Sequence, residues 1–277
     1  MYSLRLFGRP SLDGPDGPLT GRAAQKHRLA LLALLARSPD GSLSRDKLMG
    51  CLWPENEATR ARHLLNVAVH VLRKELGEAA LLSLGDDLRL ATDAVHVDVE
   101  EFEEALRRGE AEVAVALYPG PFLDGFYLSE SPEFEKWVDG ERASLARLSA
   151  EALEGLAAEA EARGHALTAA ERWRTLVAED PYNTRFVLRL MAALEAAGDR
   201  GNAIQAARAH EDLLRDELGA EPDPELAELV RRLQEAPNGM VPAVWAREWG
   251  RRSTSSATDS RGEPEPRAAP TTTRGGR

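Results

Sequence analysis

Nineteen residues, Ala58–Leu76 (ATRARHLLNVAVHVLRKEL), constrain this chain more than any other stretch. Wound at 3.6 residues per turn they separate into two faces. Ala61, Leu64, Leu65, Ala68, Val69, Leu72 and Leu76 share one apolar arc, and Thr59, Arg62, His63, Asn66, His70, Arg73 and Lys74 lie opposite. That polar set holds no carboxylate, and each member can donate a hydrogen bond in some protonation state. Such a face suits a helix in the major groove of a duplex, where Arg and Asn read base edges and cations meet phosphates. On the helix alone, a solvated outer face over an ordinary core is the commoner explanation. The flanking segments have to decide.

Charge divides the chain. The net −11 is made of +2 over residues 1–96, −16 over 97–236 and +3 over 237–277. A near-neutral head on a strongly acidic body points to two domains with different surfaces. The longest apolar run, Leu29–Ala36, is far short of the roughly 18 residues a membrane span needs, so no membrane partner is expected. The first ten residues, MYSLRLFGRP, lack the pattern of a secretory leader. One cysteine, Cys51, cannot build a disulfide framework, and a cytoplasmic location is expected.

Around the central helix the punctuation is regular. Ser3–Gly8 alternates as a strand does, and Gly14, Pro15, Gly17 and Pro18 force turns, with a second short strand near Leu12 or Leu19. Arg22–Arg37 reads as a helix burying Leu29, Leu32, Ala33 and Ala36, ended by Ser38-Pro39-Asp40-Gly41. Ser44 is a suitable N-cap for a second helix, Arg45–Leu52, which Pro54 stops. After the third helix and Gly77 come Leu81–Leu84, the turn Gly85-Asp86-Asp87, Leu88–Ala91 and Val95–Val99 as strands. Three helices followed by a hairpin is the order of a winged helix.

From Asp98 the pattern turns acidic and amphipathic, Tyr118–Phe126 (YPGPFLDGF) forms a turn-rich segment with aromatic anchors, and helix is expected almost continuously from Pro132 to Gln234. Within that run Gly164 and Gly198 stand 34 residues apart, each closing one helix and preceding another rich in alanine. That is the tetratricopeptide period, with small residues where paired helices approach. Asp180-Pro181 and Gly219–Pro224 break the chain between units, before a capping helix over Glu225–Leu233. After Pro237 no apolar stripe remains to offset ordering entropy, so residues 237–277 are expected to be disordered, with Trp245 and Trp249 expected to pack back on the body.

No enzyme chemistry is written in the chain. The six histidines show no metal-ligand spacing, and neither a phosphate-binding loop nor a nucleophile–base pairing occurs. No enzymatic role, cofactor or metal is expected.

LRLFG at 4–8, LSRDKLMGCLWP at 43–54, ARHLLNVAVHVLRKELG at 61–77, YPGPFLDGF at 118–126, EKWVDGERASL at 135–145 and LLRDELGAEPDPEL at 213–226 follow one another in an order that resembles the SARP family. These are bacterial transcriptional activators of the antibiotic-regulatory type. The resemblance spans residues 3–234. It implies a mainly α chain: an OmpR-type winged helix-turn-helix (α+β) over 1–97, an all-α, tetratricopeptide-like bacterial transcriptional activator domain over 98–236, and the tail. Helix 58–76 is similar to the recognition helix and the hairpin Leu82–Val97 to the wing. On this reading Arg62, Asn66, His70 and Arg73 face bases, while Lys26, Lys47, Thr59, His63, Lys74 and Arg89 meet phosphates or flanks. The partners implied are promoter DNA, with direct repeats bound by side-by-side protomers, RNA polymerase, and a second copy through the helical domain. Neither the ATPase module of larger relatives nor a receiver domain ahead of the winged helix is expected. The sequence departs from the family in having Val67, His70 and Val71 where basic or polar residues are common. That keeps a second reading open, a protein-interaction adaptor whose winged helix no longer reads DNA.

Overall fold

Alternate residues of the first segment, Leu4 and Leu6, are both fully buried, as a strand with one inward face requires. In the computed structural model, which describes residues 1–19, 21, 24–91, 93–221 and 223–235, β1 (Tyr2–Arg5) pairs antiparallel with β2 (Ser11–Gly14), which pairs with β3 (Gly17–Pro18). A second sheet joins β4 (Ser42–Ser44), β6 (Asp87–Leu90) and β5 (Leu81–Leu84) in that spatial order. The expected wing hairpin therefore ends at Leu90. The third strand, β7 (Val95–Val97), does not continue it but runs parallel to β1, with Leu4 opposite Val97. Val95 and Val97 are both buried there, and a turn in which the Ala94 and Val95 N–H groups donate to the Ala91 carbonyl redirects the chain.

Three helices pack with the second sheet: α1 (Lys26–Ala36), α2 (Arg45–Leu52) and α3 (Ala58–Leu76). Ser44 caps α2 through its hydroxyl, which accepts from the Lys47 N–H at 3.3 Å. Gly77 ends α3 at φ 93°, in the region where a side chain would be strained. The helix expected from Arg22 starts later: Arg22 lies outside the described residues, but Ala24 and Gln25 are non-helical and extended Gln25 is the N-cap of a helix that begins at Lys26. Its burial also differs from the expected one-sided pattern: all eight residues from Leu29 to Ala36 are buried, because helices of the body cover the side that the winged helix leaves open.

The body begins at α4 (Asp98–Arg107), paired with α5 (Ala111–Leu117). It continues as α6 (Pro132–Ala162) with α7 (Ala166–Glu179), then α8 (Thr184–Ala196) with α9 (Arg200–Leu218), and α10 (Pro224–Glu235) follows. The two glycines 34 residues apart make the same turn. Gly164 (φ 76°) donates to Glu161 and His165 to Ala160, and Gly198 (φ 80°) donates to Glu195 and Asp199 to Leu194. Gly109 (φ 74°) repeats that turn between α4 and α5, with Glu110 donating to Ala105. There are thus three helical hairpins rather than two, the first offset from the 34-residue period by the loop 118–131. Residues 237–277, with Trp245 and Trp249, lie outside the described residues.

The winged helix and the first body helices share one apolar core. Phe7 packs edge-on against Phe102 and Tyr118, and bridges to Phe122. The aromatic loop 118–126 is therefore docked on the end of β1. Its Leu123 holds φ 50°, fixed by donating to the Leu6 carbonyl at 2.7 Å while its own carbonyl accepts from Arg142 at 2.6 Å. Asp98, at the head of α4, accepts from the backbone N–H groups of Leu6, Phe7 and Val99. Burial pushes its carboxyl above the usual range despite those bonds. Arg37, at the end of α1, meets Glu103 at 2.9 Å and Glu141 at 2.8 Å.

Candidate nucleic-acid interface

Helix α3 buries Ala61, Leu65, Ala68, Val69, Leu72 and Leu76, which fixes how it rolls on the core and therefore which side chains stand outward. Thr59, Arg62, His63, Asn66, His70 and Lys74 are all exposed. Arg60 and Val67 flank them, Val67 at 40% exposure. Among the described residues, Arg60, Arg62 and Lys74 make no ion pair. Positive groups without a local carboxylate keep their field directed at solvent, which is the condition for meeting an external anion.

Arg73 is placed differently. It is half-buried, its Nε donates to the Leu81 carbonyl at 2.8 Å and its Nη2 to Ser83 Oγ at 2.9 Å. The helix is thereby tied to β5, with Glu78 3.8 Å from the guanidinium. A second arginine, which the sequence pattern does not single out, completes this tie. Arg45, the first residue of α2, donates from Nη1 to Asn66 Oδ1 at 3.0 Å and from Nη2 to Ser83 Oγ at 3.2 Å. Asn66, Arg45, Ser83 and Arg73 form one hydrogen-bonded chain from the middle of the helix across to the wing. Arg45 follows the N-cap Ser44, so its direction is set by the cap. The signal is present as an arginine at the start of α2, but its partner is 21 residues away.

The other residues singled out from the sequence are dispersed. Arg89 is exposed on β6 between Ser42 and Leu82, on the face away from buried Leu88 and Leu90. Exposed Leu82 and Leu84 stand on that outer face, and the hairpin tip carries Asp86 and Asp87. Lys26 donates to the Tyr127 carbonyl at 3.1 Å, in the loop that docks the body. Lys47 borders a cleft of about 440 Å³ with Leu34, Leu43, Leu48, Glu133 and Trp137. Cys51 also lines that cleft. Burial, reinforced by the charge of Glu133, pushes its thiol up to about 11, so it is a neutral packing group at neutral pH. Among the described residues no cluster of His, Cys, Asp or Glu could hold a metal ion, and no helix is long and apolar enough to cross a membrane.

Comparison with known proteins places these pieces. The model of the bacterial transcriptional activator domain matches residues 86–234, and that of the C-terminal domain of transcriptional regulatory proteins matches residues 23–83. The chain belongs to the bacterial transcriptional activator domain family. With the second match directly ahead of it, the arrangement is that of a SARP-type transcriptional regulator. A curated relative is the regulatory protein AfsR of Streptomyces griseus, 29% identical over 79% of this chain and 23% of the relative. The chain thus spans about a quarter of that relative's length. A solved structure of similar fold is Mycobacterium tuberculosis EmbR in complex with a low-affinity phosphopeptide, with a TM-score of 0.61 at 21% identity over 92% of this chain and 70% of that one.

Proposed function

We propose that this SARP-type regulator is a sequence-specific DNA-binding activator that seats α3 in the major groove. The observation that carries the reading is the exposed, carboxylate-free set Thr59, Arg62, His63, Asn66, His70 and Lys74, held in one orientation by the tie to Arg45 and Ser83. Arg62, Asn66 and His70 project where base edges would lie, and Lys74 where phosphate would. Arg73 contributes chiefly by fixing helix to wing, since its Nε and Nη2 are committed there. Lys26, Lys47 and Arg89 are weaker phosphate contacts on this reading, because none of them adjoins the chain from Asn66 to Arg73.

The acidic hairpins α4–α9 would serve protein contacts, with RNA polymerase or with a second protomer on a direct repeat. That EmbR was solved with a phosphopeptide supports a protein partner in a chain of this fold. The adaptor reading is favoured by one observation, the exposure of Val67, Leu82 and Leu84, an apolar fringe that a protein surface could also cover.

Selection of genomic fragments on the purified chain tests the two. Enrichment of one motif by the parent, abolished when Arg62, Asn66 and His70 are all replaced by alanine, is expected. No enrichment at low salt by a demonstrably folded protein would replace the regulator with the adaptor.

A further inference from the structure

An asparagine amide has two ends, and which end faces a base decides what it reads. The usual bidentate contact with adenine uses both, the oxygen accepting from N6 and the nitrogen donating to N7. In this chain the oxygen is already engaged. A guanidinium has five donors and no acceptor, so the end of the Asn66 amide that meets Arg45 Nη1 at 3.0 Å must be its oxygen. Arg45 is in turn anchored: its second nitrogen donates to Ser83 Oγ, which also accepts from Arg73. With both lone pairs of that hydroxyl engaged by arginines, its own hydrogen can only point away from them. The Asn66 oxygen is therefore turned toward Arg45, with one of its two lone pairs engaged there, and the NH2 is the end of the amide left to face an incoming duplex.

Resting on the DNA-binding reading above, we propose that Arg45 is a positioning residue that turns the Asn66 amide so that its NH2 enters the groove. The base edge met by Asn66 is then one that accepts, guanine through N7 and O6 or thymine through O4. Cytosine, which presents an amino group, and adenine, whose N7 accepts but whose N6 amino group would then meet no acceptor, are disfavoured there. Arg62 on the preceding turn is also a donor without an acceptor, and the strand read by this stretch is rich in guanine and thymine.

The test uses the full chain and random duplex selection, with Asn66→Ala and Arg45→Ala beside the parent and the melting temperature of each recorded. The position whose preference disappears in Asn66→Ala is the one contacted, and the parent is expected to take guanine or thymine there. Where guanine is chosen, removing its N7 acceptor with 7-deazaguanine should weaken the parent by about tenfold and leave Asn66→Ala unaffected. Arg45→Ala should melt with the parent yet accept adenine at that one position, discrimination falling about tenfold as the freed amide turns. If Arg45→Ala melts early, Ser83→Ala, which keeps Arg45 but removes its anchor, should show the same broadening in smaller degree. Adenine at that position in the parent, an unchanged preference in folded Arg45→Ala and Ser83→Ala, or no position altered by Asn66→Ala would each overturn the proposal while leaving the DNA-binding reading standing. Absence of any motif for the parent would instead overturn that reading.

Discussion

The arginines of the body and those of α3 are used in opposite ways. On α6–α9 most of them are matched to carboxylates of the same or the adjacent helix, as Arg147 is with Glu151, Arg163 with Glu159, Arg185 with Glu154, Arg189 with Glu161 and Arg215 with Asp212. Their fields are spent inside the body, and what remains is a strongly negative surface. On α3, Arg60, Arg62 and Lys74 meet no acid among the described residues, and Asn66 and Arg73 are held by groups without charge compensation nearby except Glu78. A head of nearly zero net charge can thus carry a concentrated positive face. Net charge by domain understates such a site because it averages over faces that point in different directions.

The largest expected effect breaks the joint rather than either surface. Phe122 is fully buried, edge-on to Trp137 and bridged to Phe7, and Phe122→Ala should cost about 3–5 kcal/mol, read as a lower urea midpoint. If head and body were only tethered, the loss would be far smaller. Next, alanine at Arg62, Asn66 and His70 together should weaken operator binding by about a hundredfold or more with the melting temperature unchanged, as judged by fluorescence anisotropy. Lys74→Ala should weaken all sequences alike and flatten the slope of log affinity against log salt by about 0.9, the increment for a single phosphate neutralised. Arg185→Ala sharpens the contrast from the other side. Its bidentate pair with Glu154 is at the surface, so a loss of about 1 kcal/mol or less in stability is expected, with DNA affinity unaltered.

The smallest effect is a pH dependence. His27 stacks on Trp53, and burial lowers its pKa below 6.5 against the opposing influence of Glu130 and the Leu52 backbone. A folded pKa below the unfolded one means that the unfolded chain binds more protons, so stability is present above about pH 6.5 and declines as pH falls through that value. Melting curves between pH 7.5 and pH 5 (roughly one proton's titration range) should fall more steeply for the parent than for His27→Phe.

Local features of this fold are legible wherever the cause is local. The two faces of 58–76 follow from residue spacing, the start of α2 from the Ser44 cap, the end of α3 from Gly77, and the hairpins at Gly164 and Gly198 from their period. The hairpin at Gly109 escapes that period because α5 is short and the docking loop 118–131 displaces it from the 34-residue register. The wing expected from the sequence is too long because Val95–Val97 alternates like any hairpin strand, and nothing nearby says that its partner is β1.

For the candidate site the division is sharper. The sequence by itself determined that α3 would have an uncompensated polar face, because an amphipathic helix must bury its apolar arc and the residues opposite are then outward. It did not determine that α1 is buried on every side, since that depends on body helices distant in sequence. Nor did it determine that Asn66 is oriented by Arg45, or that Arg73 is spent on the wing rather than free for a base. Those follow from contacts across 8 to 38 residues that exist only once two sheets and three helices are packed. Side-chain composition is local, but which donors remain free is settled by every neighbour that the fold brings within hydrogen-bonding distance.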